Sequence, residues 1–398
     1  MNKKWEIKKL GEVCEFGNGL WAGKKPPFKK VGVIRNTNFT KDCKLDDKDI
    51  LYLEVELSQF QKRKLNFGDI ILEKSGGGPK QPVGRVVIFN KTEGDFSFSN
   101  FTSVIKIKDS NKLDYNYLHR YLYFKYMSGE TERMQSHSTG IRNLKFEEYK
   151  EIKILFPPLP EQRRIVSILD ECFSAIERSR KNVEQNLKNA KELFESYLQE
   201  VFGSACSPTE EKGKDWETKT LNQISENLDS KRIPITKNFR KRGNIPYYGA
   251  SGVVDYVADH IFDEDLLCIS EDGANLLART YPIAFSITGK TWVNNHAHVL
   301  KFTNLINQKY VEIYFNSIKI EDYVSGMAQP KLNQAMLNKI PIPFPPIAEQ
   351  QRIVRQLDAL RSDTKKLEAI YQKKIANLDE LKNSILSKAF KNELFNTI

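Results

Sequence analysis

At 398 residues the chain is long enough for two domains with cores of their own, and no uninterrupted apolar run of 18 residues occurs in it, which excludes a membrane-spanning helix. Its 62 lysines and arginines against 51 aspartates and glutamates leave a net charge of +11 and a pI near 9.1, with 11% aromatic residues, a balance that suits a polyanionic partner. Cys14, Cys43, Cys172, Cys206 and Cys268 form no C-x-x-C pair, and the MNKKWEIKKL start has no apolar leader core, so reduced thiols, a cytoplasmic location and no membrane partner are expected.

Residues 1–155 predict an α+β domain. The runs VGVIRN, GDIILE, VGRVVIF and FTSVIKIK are β-branched and bounded by Gly, Asn and Asp, as strands are, and LDYNYLHRYLYFKYM predicts one helix. The stop LFPPLP then opens a helix over 156–203, where Ile165, Leu169, Cys172 and Ile176, then Val183, Leu187, Ala190 and Phe194, recur at steps of three and four within each run. From about 160 to 202 it would be a rod of about 64 Å. After a linker at 204–215, residues 216–343 repeat the plan, with strands at EDLLCIS, IAFSIT and HAHVLKF and a helix at QKYVEIYFNSI. A second long helix over 344–392 carries Ile353, Leu357, Leu360, Tyr371, Ile375, Leu378 and Ile385, and residues 393–398 are a tail.

The two halves are copies of one unit. PPLPEQRRIVSILD (Pro157 to Asp170) returns as PPIAEQQRIVRQLD (Pro345 to Asp358), and the same interval of 188 residues relates Leu144 to Leu332, Ile152 to Ile340, Leu198 to Leu386 and Phe202 to Phe390. WEIKKLGEV at Trp5 answers WETKTLNQI at Trp216 with an interval of 211, so the second body is 23 residues shorter. Each helix can bury its apolar seam only against the other, which predicts an antiparallel pair with one body at each end and a pseudo-twofold relation. Duplex DNA shares that local symmetry, and two dissimilar bodies predict a split, asymmetric target with unread base pairs between its halves.

The duplicated P-P-x-x-E-Q-x-R-I-V helix starts and the segment YYGASGVVDYVADHIFDEDLLCISEDGAN…GKTWVNNHAHVL resemble the specificity subunit of Type I restriction-modification enzymes. The resemblance covers essentially the whole chain, with Ala348 standing where the first copy has Pro160. It implies two target recognition domains on double-stranded DNA, a helical spacer fixing the gap, two methyltransferase subunits as partners and restriction (motor-nuclease) subunits for cleavage. S-adenosylmethionine, ATP and Mg would sit on those partners, with no cofactor in this chain.

No catalytic motif is found. GKT at Gly289 lacks the upstream glycine of a Walker loop, KPPF at Lys25 fails the amino-methyltransferase tetrapeptide, and no P-D…(D/E)-x-K nuclease core occurs. The chain is expected to read DNA and catalyse nothing. A diverged enzyme or a protein-binding coiled-coil adaptor are the competing readings. In the first body the loop EKSGGGPKQPVGR offers Lys74, Ser75, Gly76, Lys80, Gln81 and Arg85 as DNA-binding candidates, its glycines allowing close backbone approach. In the second, the basic run around Lys231, Arg232, Arg240 and Lys241 suits phosphate contact. By resemblance Tyr247, Tyr248, Ser251, Glu271, Asp272, Asn275, Trp292, Asn294, Asn295 and His296 join it. Arg133, Gln135, Ser138, Arg142, Gln329 and Lys331 are weaker candidates. His296 and His298 have no acidic residue at ligand spacing, so no metal is expected.

Overall fold

The computed structural model describes residues 5–21, 25–78, 81–138, 141–203, 216–326 and 328–391. The expected linker at 204–215, the tail at 393–398 and Lys80 lie outside the described residues, as does the side chain of Ser138. The fold is α+β and divides into two units, residues 1–183 with 373–398 and residues 184–372, so that the division falls within both long helices.

In the first unit the β-branched runs pair into an antiparallel sheet with the order Cys14–Asn18, Thr102–Ile107, Ile70–Glu73, Val86–Ile88. Ile70, Ile71 and Leu72 are wholly buried, because one face packs under the helix Tyr115–Met127 and the other meets a three-stranded sheet of Leu51–Glu56, Phe28–Ile34 and Phe96–Phe98. Asp114 starts the helix by accepting from the amides of Asn116 and Tyr117. The second unit repeats the plan, with Leu266–Ser270 between Ala297–Lys301 and Ala284–Ile287, and the helix Leu305–Ser317 packed on Ala284–Ile287.

Sequence reading missed a pairing that closes each body. Glu6–Lys9 runs antiparallel to Lys153–Phe156, and Glu217–Lys219 to Ile342–Phe344, so the first strand of each copy lies beside the last. It also missed the hairpin of Arg242–Gly249 and Gly252–Val257, whose register shifts between Arg242 and Ile245. A Pro inside the first of these strands and the basic run before it disguise the hairpin as loop.

The long helices run Leu159–Gly203, 45 residues, and Ile347–Phe390, 44 residues. Within the first unit the ion pair Arg180–Asp379 (2.5 Å) and the Lys382 ammonium over the Phe173 ring show their segments running antiparallel. The Phe390 ring lies 5.6, 5.1 and 5.7 Å from those of Tyr117, Tyr121 and Phe124. Within the second unit Lys191 faces Glu368, Tyr197 donates to Gln356, and the Phe202 ring lies 5.7 and 5.4 Å from Tyr310 and Tyr314. Phe202 and Phe390, repeat mates in sequence, thus fill equivalent pockets. Among the described residues no helix is long and apolar enough to cross a membrane.

Candidate nucleic-acid interface

Three chain segments converge at the same station of each unit. In the first, the sheet strand ends as the amides of Lys74 and Ser75 donate to the Phe101 carbonyl (3.0 and 3.1 Å) and the Leu144 amide donates to the Lys74 carbonyl (2.8 Å). In the second, the Glu271 amide donates to the His296 carbonyl (2.9 Å) and the Leu332 amide to the Glu271 carbonyl (2.7 Å). Because Leu144 and Leu332 are repeat mates, Lys74 matches Glu271 and Phe101 matches His296. The candidate loops of both bodies therefore fall on one structural position, and the side chains differ there while the backbone bonding is kept.

The glycine-rich loop of the first unit is more structured than a free turn. Ser75–Gly77 pairs with Ile141–Leu144, and Ser75 Oγ lies 2.5 Å from Asn143 Oδ1. Gly76 has φ +94, and a Cβ there would come within 2.8 Å of Asn36 Nδ2, so this position requires glycine. Lys74 donates to Asn18 Oδ1 at 2.8 Å, and burial lowers its pKa. Gly76 and Gln81 are exposed, as is Phe101, which the sequence reading had not singled out.

Arg85 corrects the expectation that it reaches DNA. Its side chain is buried, bonded twice to Glu73 at 2.8 Å and to the carbonyls of Phe39 (2.5 Å) and Asn36 (3.1 Å). The Gln81 amide lies within 3.2 Å of that guanidinium and, turned oxygen-first, accepts from it. Arg85 braces the loop from beneath. Gln135 is likewise internal, donating to the carbonyls of Val83 and Thr131, and Arg142 pairs with Glu132.

The second unit solves the same problem with a different charge network. Arg232 donates to Glu271 (2.7 Å) and to the Ala297 carbonyl (2.7 Å), and Lys331 approaches Glu271 at 3.2 Å. The buried His298 places Nδ1 2.6 Å from Asp229 and Nε2 2.8 Å from the Leu332 carbonyl, so each ring nitrogen faces an acceptor. Burial pushes the Asp229 and Glu271 carboxyls up. The His298 bond to Asp229 and the Arg232 bond to Glu271 outweigh it, and both end below the ordinary range. Ligand atoms of Asp229, Glu271 and His298 lie within 4.8 Å of one another, an acidic neighbourhood for His298 that sequence spacing did not reveal. Arg232 already supplies the positive charge that a metal would bring.

Several remaining candidates are also held by bonds within the fold. Tyr247 is buried, its hydroxyl accepting from the Ile235 amide (2.9 Å), and the Arg240 guanidinium sits 4.3 Å from its ring while bonding Asp255 (3.0 Å). Tyr248 stacks on Phe285, Trp292 donates to the Ile233 carbonyl (2.6 Å), Asn275 clasps the Tyr281 backbone, and the buried Asn294 accepts from the His296 amide. Half-buried Asp272 holds the His296 ring at 2.9 Å. Lys231, Lys241, Ser251, Asn295 and His296 are exposed, and Lys231, Lys237, Lys241 and Arg242 form no ion pair among the described residues. Apart from the Coulombic pull between Lys237 and Asp255, this cluster presents positive charge outside any ion pair, as a surface meeting phosphates does.

Residues 2–185 and 213–377 match the family model described as the Type I restriction modification DNA specificity domain. A Haemophilus influenzae chain whose name makes it a candidate type I restriction enzyme specificity subunit is 32% identical over 44% of this chain and 49% of its own, so that this chain spans about half its length. The Escherichia coli EcoKI specificity subunit is 24% identical over 98% of this chain and 89% of its own. In fold, a chain from a structure concerning complex assembly and conformational transition of the type I R-M system superposes with a TM-score of 0.76 at 18% identity over 98% of both chains. The HsdS subunit of Thermoanaerobacter tengcongensis superposes with a TM-score of 0.64, also at 18% identity, over 99% of this chain and 98% of its own.

Proposed function

Starting from a chain that belongs to the Type I restriction-modification DNA specificity family, we propose that each unit reads one half of a split, asymmetric DNA target, that the long helices set the gap, and that the chain scaffolds two methyltransferase subunits and the restriction subunits. The chain itself is a specificity subunit and not an enzyme. S-adenosylmethionine, ATP and Mg belong to the partners, in the cytoplasm.

The observation that carries this reading is the contrast between what the two units keep and what they change. At the recognition station the side chains diverge. At each helix start they are kept, exposed positions included. Lys8 pairs with Glu6 (3.2 Å) and lies over the Phe156 ring (4.6 Å); Lys219 pairs with Glu217 (2.9 Å) and lies over the Phe344 ring (5.1 Å). Glu161 clasps Arg164 as Glu349 clasps Arg352, and Gln162 and Gln350 each donate to the carbonyl five residues back at 2.8 Å. In the first unit Glu6, Lys8 and Phe156 border a groove of about 490 Å³ between Trp5, Lys112 and Pro158. Two identical partner subunits require two like surfaces, and two unlike half-sites require two unlike ones.

The test is co-expression with a methyltransferase subunit encoded beside this chain, followed by single-molecule sequencing for methylated adenines. One bipartite motif with an invariant gap is the expected result. Methylation at a continuous motif would overturn the split-target reading, and failure to form a complex would overturn the scaffold.

A further inference from the structure

The basic segment of the second unit, Lys231 to Arg242, leaves two large apolar side chains in solvent, Ile233 at 50% exposure and Phe239. Phe239 is 80% exposed, the most exposed of the large hydrophobic residues described, and ends a one-turn helix, Lys237–Phe239. Exposed apolar residues scattered singly over a surface carry no message. This one differs in its mounting and in its neighbours.

The turn is anchored on every side. Before it, the Ile235 amide donates to the Tyr247 hydroxyl; within it, the Phe239 amide donates to the Thr236 carbonyl at 2.8 Å. Directly after it, Arg240 reaches back to the Ile235 carbonyl (2.9 Å), across to Asp255 (3.0 Å) and over the Tyr247 ring. Next, the Lys241 carbonyl accepts from the Ala258 amide (3.0 Å), and Gly243 lies so close to this strand that a Cβ would come within 2.3 Å of the Val257 carbonyl. The chain fixes this turn firmly and leaves its Phe in solvent.

The neighbours are Lys237, Lys241 and Arg242, all exposed and without ion pairs among the described residues. The segment also continues from the recognition station, since Arg232 bonds Glu271 and the Ala297 carbonyl, Trp292 holds the Ile233 carbonyl, and Tyr247 holds Ile235. A neutral aromatic ring on a fixed turn inside a phosphate-binding field is the arrangement by which proteins unstack a base step.

We propose that Phe239 is an apolar wedge of the second unit, stacking its ring into a base step of the duplex beside the half-site while Lys237, Lys241 and Arg242 hold the flanking phosphates. The proposal rests on the DNA-reading function above. The wedge adds affinity without adding to the salt dependence, because a neutral ring releases no counterions.

The test uses the full chain in complex with the methyltransferase subunit and 40-base-pair duplexes carrying the motif found by methylation sequencing, with 2-aminopurine placed at successive positions. Away from the methylated adenines, which the methyltransferase itself extrudes, bound wild-type complex is expected to raise 2-aminopurine fluorescence at one step, and Phe239→Tyr to keep the signal. Phe239→Ala is expected to abolish it and to weaken binding on the order of 5- to 150-fold, with an unchanged slope of log affinity against log salt. Unaltered binding and fluorescence in Phe239→Ala would overturn the wedge alone, as would an affinity loss accompanied by a shallower salt slope. A wild-type complex that binds the motif no better than a scrambled duplex would overturn the DNA-reading function, and the wedge with it.

Discussion

Arg85 separates a residue that touches DNA from one that holds up the residues that do. Replacing it by Ala leaves the Glu73 carboxylate, 1% exposed, without its two 2.8 Å bonds, strips the Phe39 carbonyl of its side-chain donor, and leaves the Asn36 carbonyl with only the Phe39 amide. An unpaired buried charge of this kind costs about 3–5 kcal/mol, whereas a surface phosphate contact costs the fold almost nothing when removed. Because the two units need not unfold together, the readout is amide hydrogen exchange by mass spectrometry, comparing Ile70–Glu73 in the first unit with Leu266–Ser270 in the second as an internal control. Arg85→Ala is expected to collapse protection in the first strand and leave the second unchanged. The double change Glu73→Gln with Arg85→Met, which removes both charges and keeps the volume, is expected to recover most of the loss. An Arg85→Ala chain with normal protection, weakened DNA binding and a shallower salt dependence would refute the brace and restore the phosphate contact.

Lys241→Ala tests the opposite case: exposed and unpaired, it is expected to leave stability within about 0.5 kcal/mol of wild type and to reduce the magnitude of the salt slope of DNA binding by about 0.9. An unchanged slope would remove Lys241 from the interface. His119 predicts a pH dependence of the first unit. Burial, with the Arg120 charge, pushes it down to about 4, and its Nε2 lies between the carbonyls of Cys43 (3.0 Å) and Val86 (3.1 Å). The unfolded chain takes up this proton near pH 6.5 and the folded one does not, so the contribution is complete above about 6.5 and falls as pH drops toward 4, by about 2 kcal/mol at pH 5. Exchange measured at both pH values should show a smaller difference in His119→Gln than in wild type, and an equal one would refute the assignment.

The long helices were legible because their signal is local and redundant: steps of three and four repeat over more than ten turns, and the second copy confirms the first. Strands such as Ile70–Glu73 and Leu266–Ser270 were legible for the same reason, as short β-branched runs between breakers. What was not legible depends on partners far apart in sequence. Arg85 looks like a donor for DNA until Glu73 folds beneath it, and His298 looks unaccompanied until Asp229, 69 residues away, arrives at 2.6 Å. Charged side chains in recognition loops are ambiguous in sequence because both roles, bracing and contacting, select the same residue types. Only burial distinguishes them.

The repeat itself makes a last prediction. In the first unit, Leu386, Ala389 and Phe390 of the second long helix join the core built by Leu118, Ile165 and Leu169. In the second unit, Phe202, with Leu198 and Val201 packed beside it, joins the core containing Val311, Ile353 and Leu357. The interval of 188 residues makes Leu198, Val201 and Phe202 the mates of Leu386, Ala389 and Phe390. The pockets also correspond: Tyr117 and Tyr121 donate to the carbonyls of Leu155 and Lys153, and Tyr310 and Tyr314 to those of Pro343 and Pro341. A chain ending after Gly203 therefore keeps a pocket of one copy and loses the ring that fills it, yet carries at its own end the ring that fills the equivalent pocket. It cannot satisfy both within one molecule, because Ile165 and Phe202 lie on a single continuous helix. Two such chains can satisfy each other. Light scattering after gel filtration should give twice the mass of residues 1–203, and Phe202→Ala, which forfeits on the order of 3–5 kcal/mol at each of two sites, should return the monomer. A folded monomer of the unsubstituted half would show that the two pockets, for all their shared bonds, do not accept each other's rings.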